Sequence, residues 1–187
     1  MVEKTHRQKV AKPLLWIGMV SIVMMFAGLT SGYIVRRGEG NWLQFELPES
    51  IYASTILIIL SSLSMIWATS AARKNDFKGI TTALIATLAL GLGFVFFQVW
   101  SWEQLVEMGV YFTGPGSNAA GSFLYVITLA HLLHIVGGLI VLIVMIVQSV
   151  KRKYTIQNRL GLQLGSIFWH FLGGLWIYLF LFLVFIR

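Results

Sequence analysis

Apolar residues in this chain come in long blocks. They follow neither the strict alternation of a half-buried strand nor the narrow stripe of a soluble amphipathic helix. A hydrophobic stretch of about 18 or more residues with few charges is long enough to cross a bilayer as a helix. Five blocks qualify, at about Pro13 to Val35, Ser50 to Ala72, Gly79 to Trp100, Gly121 to Val150 and Gly165 to Ile186. The pattern predicts an all-α integral membrane protein of five transmembrane helices. Residues 1–187 then form a single membrane domain, with no soluble domain and no internal repeat. Pro13 suits a first helical turn, where its missing N–H has no partner to lose. The first block is too long for a signal-peptide core and no small-residue cleavage site follows it cleanly, so it reads as a retained helix.

Composition agrees with this picture. Hydrophobic residues make up 57% of the chain and charged residues 11%, against about 25% charged in an average soluble domain. There is no cysteine, which excludes a disulfide framework and a thiolate metal site. The formal charge is +7, but its basic residues fall in short clusters between the apolar blocks. They read as topology signals rather than as a nucleic-acid surface.

Those clusters predict an orientation. With five spans, Lys4, Arg7, Lys9, Lys12, Arg73, Lys74, Lys78, Lys151, Arg152, Lys153 and Arg159 share one side, and Arg36, Arg37 and Arg187 take the other. The positive-inside rule puts the N-terminus in the cytoplasm and the C-terminus outside. The outer side collects Glu39, Glu46, Glu49, Glu103 and Glu107. Trp42, Trp100, Trp102 and Tyr111 mark an outer aromatic belt, and Trp16, Trp67 and Trp169 an inner one. Lys151, Arg152 and Lys153 stand at headgroup depth and are candidates for anionic lipid, as are Arg36 and Arg37 on the other side.

Few polar residues remain for chemistry inside the spans. His131 and His134 are three apart and share a face of the fourth span. His170 lies in the fifth, one to two turns from its basic end, and Gln98 is deep in the third. An intramembrane ionisable residue is a functional hypothesis by default. Three readings of the histidines stay open. They could ligate haem or another metal, which asks for facing pairs at matched depth. They could relay protons, which asks for carboxylates that no span contains. They could be neutral and hydrogen-bonded between helices or to headgroups, which asks least of the sequence. Gln98 fits an interhelical hydrogen bond. Small residues gather at Gly28 and Gly32, at Ser61, Ser62 and Ser64, and in the pairs Gly91/Gly93, Gly137/Gly138 and Gly173/Gly174, as helices that approach closely require.

Four segments in order resemble subunit III of the haem–copper oxidases, the cytochrome c oxidase family. Phe26-Ala27-Gly28-Leu29 with Tyr33 resembles that family's FFAGL…Y segment. Gln98 with Trp102 resembles its Q-x-x-E-[YW] segment. His131-Leu132-Leu133-His134-Ile135-Val136-Gly137-Gly138 resembles its H-x-L-H-V-x-G-G signature, and Gly161 with Trp169-His170-Phe171 and Trp176 resembles its G-x-E-x₄-YWHFVDVVW end. The chain departs from the family's acidic positions, with Ile22, Ser101, Gln163 and Gly173 where carboxylates are common, and Asn158-Arg159 where a histidine pair stands. The match covers nearly the whole chain and corresponds to the last five of the seven helices of the larger members.

The resemblance implies an accessory subunit of an aerobic terminal oxidase in a bacterial inner membrane. It implies no catalytic residue, no metal and no cofactor in this chain, with haems and copper in partner subunits. The implied partners are oxidase subunits I and II and phospholipids, with membership of a respiratory supercomplex left open. Its implied roles are stability of subunit I, lipid binding and support of proton uptake. The same fold could serve a quinol oxidase or a nitric oxide reductase. A membrane cytochrome b would instead bind haem through His134 and His170, and a transporter would need broken spans or buried charge, of which the sequence has neither.

Overall fold

The computed structural model describes residues 2–38, 42, 44–154 and 159–186, with side chains from residue 10 onward. Of the residues singled out above, the side chains of Lys4, Arg7 and Lys9, together with Glu39, Asn158 and Arg187, lie outside that description. Five helices follow in order: α1 Val2–Arg37, α2 Glu49–Arg73, α3 Phe77–Glu107, α4 Ala119–Val150 and α5 Leu160–Ile186. Each is long and apolar enough to cross a membrane.

The span boundaries differ most from expectation at three places, one of them the start of α5, which is Leu160 rather than Gly165. α1 starts well before Pro13, which therefore lies inside the helix rather than in its first turn. The preceding residues are polar but good helix formers, so the helix continues past the proline, which removes one backbone donor. α3 continues seven residues past Trp100 to Glu107. Leu105 is buried on that extension, while Glu103 and Glu107 are exposed, so the charges face outward from a helix that its apolar face holds.

Three helices end alike. Asn75, Gly109 and Arg152 each take a positive φ. In each case the next residue donates its N–H back across the last turn, from Asp76 to the Ala71 carbonyl, Val110 to Leu105 and Lys153 to Gln148. This is the left-handed cap that satisfies otherwise orphaned carbonyls. Asp76 then caps α3 by accepting from the Gly79 N–H at 3.0 Å, and Asn118 caps α4 from the Ala120 N–H at 2.9 Å.

Helices α2, α3, α4 and α5 close a four-membered ring, each packed on its two neighbours, and α1 lies outside across α4 and α5, its described backbone close to neither α2 nor α3. The α3–α4 pair is antiparallel with constant register. Contacts step from Trp102–Thr128 through Gly91–Leu139 to Thr81–Ser149. α1 and α5 run parallel, with Thr30 beside Tyr178 and Tyr33 beside Phe182. The inward face of α1 is Met19, Phe26, Thr30 and Tyr33, spaced at helical intervals and buried.

Candidate functional site

The interior of the ring is aromatic and held by indole-to-hydroxyl hydrogen bonds. Trp169 Nε1 on α5 donates to Ser61 Oγ on α2 at 3.1 Å, and Trp176 Nε1 donates to Thr55 Oγ1 at 3.0 Å. Trp102 Nε1 on α3 donates to Thr128 Oγ1 on α4 at 3.0 Å. Each hydroxyl in turn donates a hydrogen bond to a carbonyl of its own helix, at Ile58, Ile51 and Leu124 respectively. Both sides of each bond are thereby satisfied without water, as an apolar surrounding demands. Ser64–Thr87 and the bond from Ser50 to Gln104 at 2.5 Å join α2 to α3, Thr81–Ser149 adds a second link between α3 and α4, and Thr30–Tyr178 joins α1 to α5.

Trp169 sits where two glycines make room. A Cβ built on Gly91 would come within 2.8 Å of the Trp169 ring, and one on Gly138 within 3.2 Å of it and 2.9 Å of Leu172. Trp169 is therefore a core residue, 1% exposed, and not a member of an inner aromatic belt. Trp16 and Trp67, which were expected in that belt, are exposed at 60% and 51%. Gly28 and Gly32 are not closely approached among the described residues. A Cβ at Gly28 meets nothing within 4 Å, and one at Gly32 makes only ordinary contact with Phe123.

The histidines do not converge. The His131 ring is fully buried among Phe26, Phe94 and Trp176, with centroids 6.2, 6.0 and 5.1 Å away. Neither of its nitrogens has a hydrogen-bond partner among the described residues. His134 is half-buried beside Phe26, and its Nδ1 lies 2.7 Å from the Ala130 carbonyl of its own helix. His170 is half-buried and stands level with Gly138, between Trp169 and Leu172. That is roughly 6 Å along the axis from His134, or four residues at about 1.5 Å each.

Gln98 is 1% exposed, and both its amide atoms also lack partners. The α3–α4 register places it opposite Leu132, within one turn of His131. Two unpaired polar side chains thus share one level of the bundle. The sequence marked both as polar residues in a span; what it could not show is that the interhelical bonds belong to tryptophans and hydroxyls instead.

Among the described residues, no group of three or more His, Cys, Asp or Glu side chains could hold a metal ion. The described carboxylates, Glu46, Glu49, Asp76, Glu103 and Glu107, all lie at helix ends or between helices. Of the positions where carboxylates were noted as missing, Ser101 is buried and bonds the Gln98 carbonyl at 2.7 Å. Gly173 lies against Ser62, and Gln163 lines a cavity at the basic end of the bundle. Lys151, Arg152 and Lys153 are exposed where α4 ends. Arg37 is exposed and Arg36 partly buried at the end of α1.

Residues 44–186 match the family model described as cytochrome c oxidase subunit III. A Mycobacterium bovis protein named probable cytochrome c oxidase subunit 3 is 32% identical over 179 residues, covering 93% of this chain and 86% of the relative. A Nocardia farcinica protein of the same name is 32% identical with the same coverage. Cytochrome c oxidase subunit 3 of Bacillus sp. strain PS3 is 25% identical over 88% of this chain and 80% of its own length. With that match over most of the chain, on a five-helix membrane bundle, this chain belongs to the cytochrome c oxidase subunit III family.

Proposed function

We propose that this chain is the accessory, non-redox subunit III of an aerobic haem–copper oxidase in a bacterial inner membrane. Its N-terminus is cytoplasmic and its C-terminus outside, as the excess of Lys and Arg on one side requires. It packs against subunit I, in a complex whose subunits I and II hold the haems and copper, and there it stabilises subunit I, binds phospholipid and sustains proton uptake. The observation that carries the reading is the family match over residues 44–186.

The bundle supports it in two ways. Among the described residues, its interior is filled mainly by aromatic rings and hydroxyl bonds, and every carboxylate lies outside it. And α1 is the least buried helix, with 17% of its most apolar window buried against 33–44% for the others. A helix so exposed presents a broad apolar face to lipid or to another subunit. Lys151, Arg152 and Lys153 at one end, and Arg36 and Arg37 at the other, are the headgroup contacts in this reading.

The test is an oxidase preparation made with and without this chain. The expected result is that the depleted enzyme keeps its early turnovers and its pumping, and then inactivates faster. Immediate loss of all pumping in an otherwise active complex would refute the accessory role.

A further inference from the structure

We propose that the exposed flank of α3, at the acidic end of the bundle, is a docking surface for a partner's transmembrane helix that carries Arg or Lys at its matching end. Phe96, Trp100, Glu103 and Glu107 recur at helical spacing and form one line along α3. All four are exposed, Phe96 at 65% and Trp100 at 43%. The Phe96, Phe97 and Trp100 rings lie against one another, with centroids 5.7, 5.7 and 6.5 Å apart. Beside them Phe96, Val99, Trp100 and Glu103 line a hollow of about 380 Å³. The line thus runs from aromatic faces to two carboxylates, with a concavity where they meet.

The neighbouring segments bring no cation to it. The connection after α3 and the first turns of α2 and α4 contain no Lys or Arg. Arg36 and Arg37, the basic residues described at this end, close α1, which packs on α4 and α5.

Two chemistries meet on this flank, and together they select the occupant. A guanidinium or ammonium is attracted both to a tryptophan face and to a carboxylate. An Arg or Lys at the membrane–water boundary can lay its aliphatic stem on Trp100 while its head reaches Glu103, one turn further out. Phe96 and Val99 lie deeper, at apolar depth, where a water-soluble partner does not reach. Phe96 to Glu107 is eleven residues, about 16 Å along the axis. The occupant must therefore be apolar over one part of that length and basic over the other, which is the pattern of a helix that crosses the bilayer. Phospholipid fits less well, because its phosphate would stand level with the carboxylates and like charges repel.

The inference goes beyond the oxidase role and does not rest on it, since the partner is named by its chemistry alone. The test is photocrosslinking of the full chain in its native membrane. Benzoylphenylalanine is placed at position 96, and the crosslinked peptide is sequenced by mass spectrometry. The same probe at position 63, where Leu63 is exposed on α2, is the control. The expected product at position 96 is one peptide from a membrane-spanning helix, with Arg or Lys within about two turns of the crosslink. Glu103→Gln lowers its yield about fivefold, the upper range for one exposed ion pair. Trp100→Leu, which keeps apolar bulk without a π face, lowers it about two- to fivefold. Glu46→Gln removes the same charge at the same end, beside Val184 of α5, and leaves the yield unchanged. Circular dichroism checks that each variant keeps its helices. Glu103→Arg combined with Glu in place of the partner's basic residue restores the yield. Crosslinks to lipid alone, to a water-soluble protein, or to a helix with no basic residue there would overturn the docking surface. So would equal losses in Glu103→Gln and Glu46→Gln, the same product from position 63, or no product at all. A basic-ended helix from a protein outside any oxidase would uphold the surface and count against the oxidase role instead.

Discussion

The adjacent glycines Gly137 and Gly138 differ in one respect, and alanine at each isolates it. Both lie inside α4, so each substitution brings the same gain in helix propensity, about 0.5–1 kcal/mol. A Cβ at Gly137 meets nothing within 4 Å. One at Gly138 would stand 2.9 Å from Leu172 Cδ1 and 3.2–3.3 Å from two ring carbons of Trp169. Those neighbours are 0% and 1% exposed. Trp169 is tied to Ser61 on one side and faces Gly91 on the other. The ring cannot retreat without breaking the hydrogen bond or striking α3. Overpacking of this kind costs about 1–3 kcal/mol. Because propensity cancels, Gly138→Ala is expected to be less stable than Gly137→Ala by that amount. Reversible unfolding of the isolated chain in mixed detergent micelles, followed by circular dichroism, measures the difference. Stabilities equal within about 0.5 kcal/mol would refute the placement of Trp169 between α3 and α4.

Three further outcomes follow from the same packing. Ser61→Ala removes the acceptor of the Trp169 indole and should cost about 0.6–1.7 kcal/mol, the range of interhelical hydrogen bonds in membranes; no loss in the same unfolding assay would mean the bond contributes nothing. His131→Phe keeps a ring against Phe26, Phe94 and Trp176 while removing two unpartnered nitrogens, and should stabilise the bundle by up to ~1–3 kcal/mol; a comparable loss would reveal a polar partner, with Gln98 the first candidate. Burial pushes the Tyr154 phenol, in the connection after α4, up to about 12. The folded state thus favours the protonated ring, and that contribution is complete below pH 10 and lost as pH rises from 10 towards 12. Tyr154→Phe should flatten this part of the alkaline unfolding curve, and an unchanged curve would count against the burial.

The five spans were legible because a bilayer demands unbroken apolar length, and α2 was located to within a residue at each end. The ends that escaped lie where that demand stops. Ahead of Pro13 the chain is polar whether or not it is helical, and Glu103 and Glu107 look like loop residues until Leu105 is seen buried between them. Polar residues in the spans were equally visible, but their partners were not. Which serine of the group Ser61, Ser62 and Ser64 faces α5 depends on the rotation of α2, and that is set by tertiary packing. Glycine spacing misleads for the same reason. Among the described residues Gly28 has no neighbour and Gly32 only an ordinary contact with Phe123, whereas Gly91 and Gly138, far apart in sequence, hold one tryptophan between them. The basic-end cavity of Lys12, Arg73 and Arg159 joins three helix ends that sequence analysis had assigned only to orientation.

The central claim is that this chain serves an oxidase without carrying its chemistry. The most direct measurement is a visible absorption spectrum of the chain purified twice from its native membrane, first under mild detergent with its partners and then alone. The expected result is haem absorbance and oxygen reduction in the first preparation, with subunit I identified by mass spectrometry, and a colourless, helical chain in the second. Haem retained by the isolated chain, or a first preparation with no haem-bearing partner, would contradict the claim.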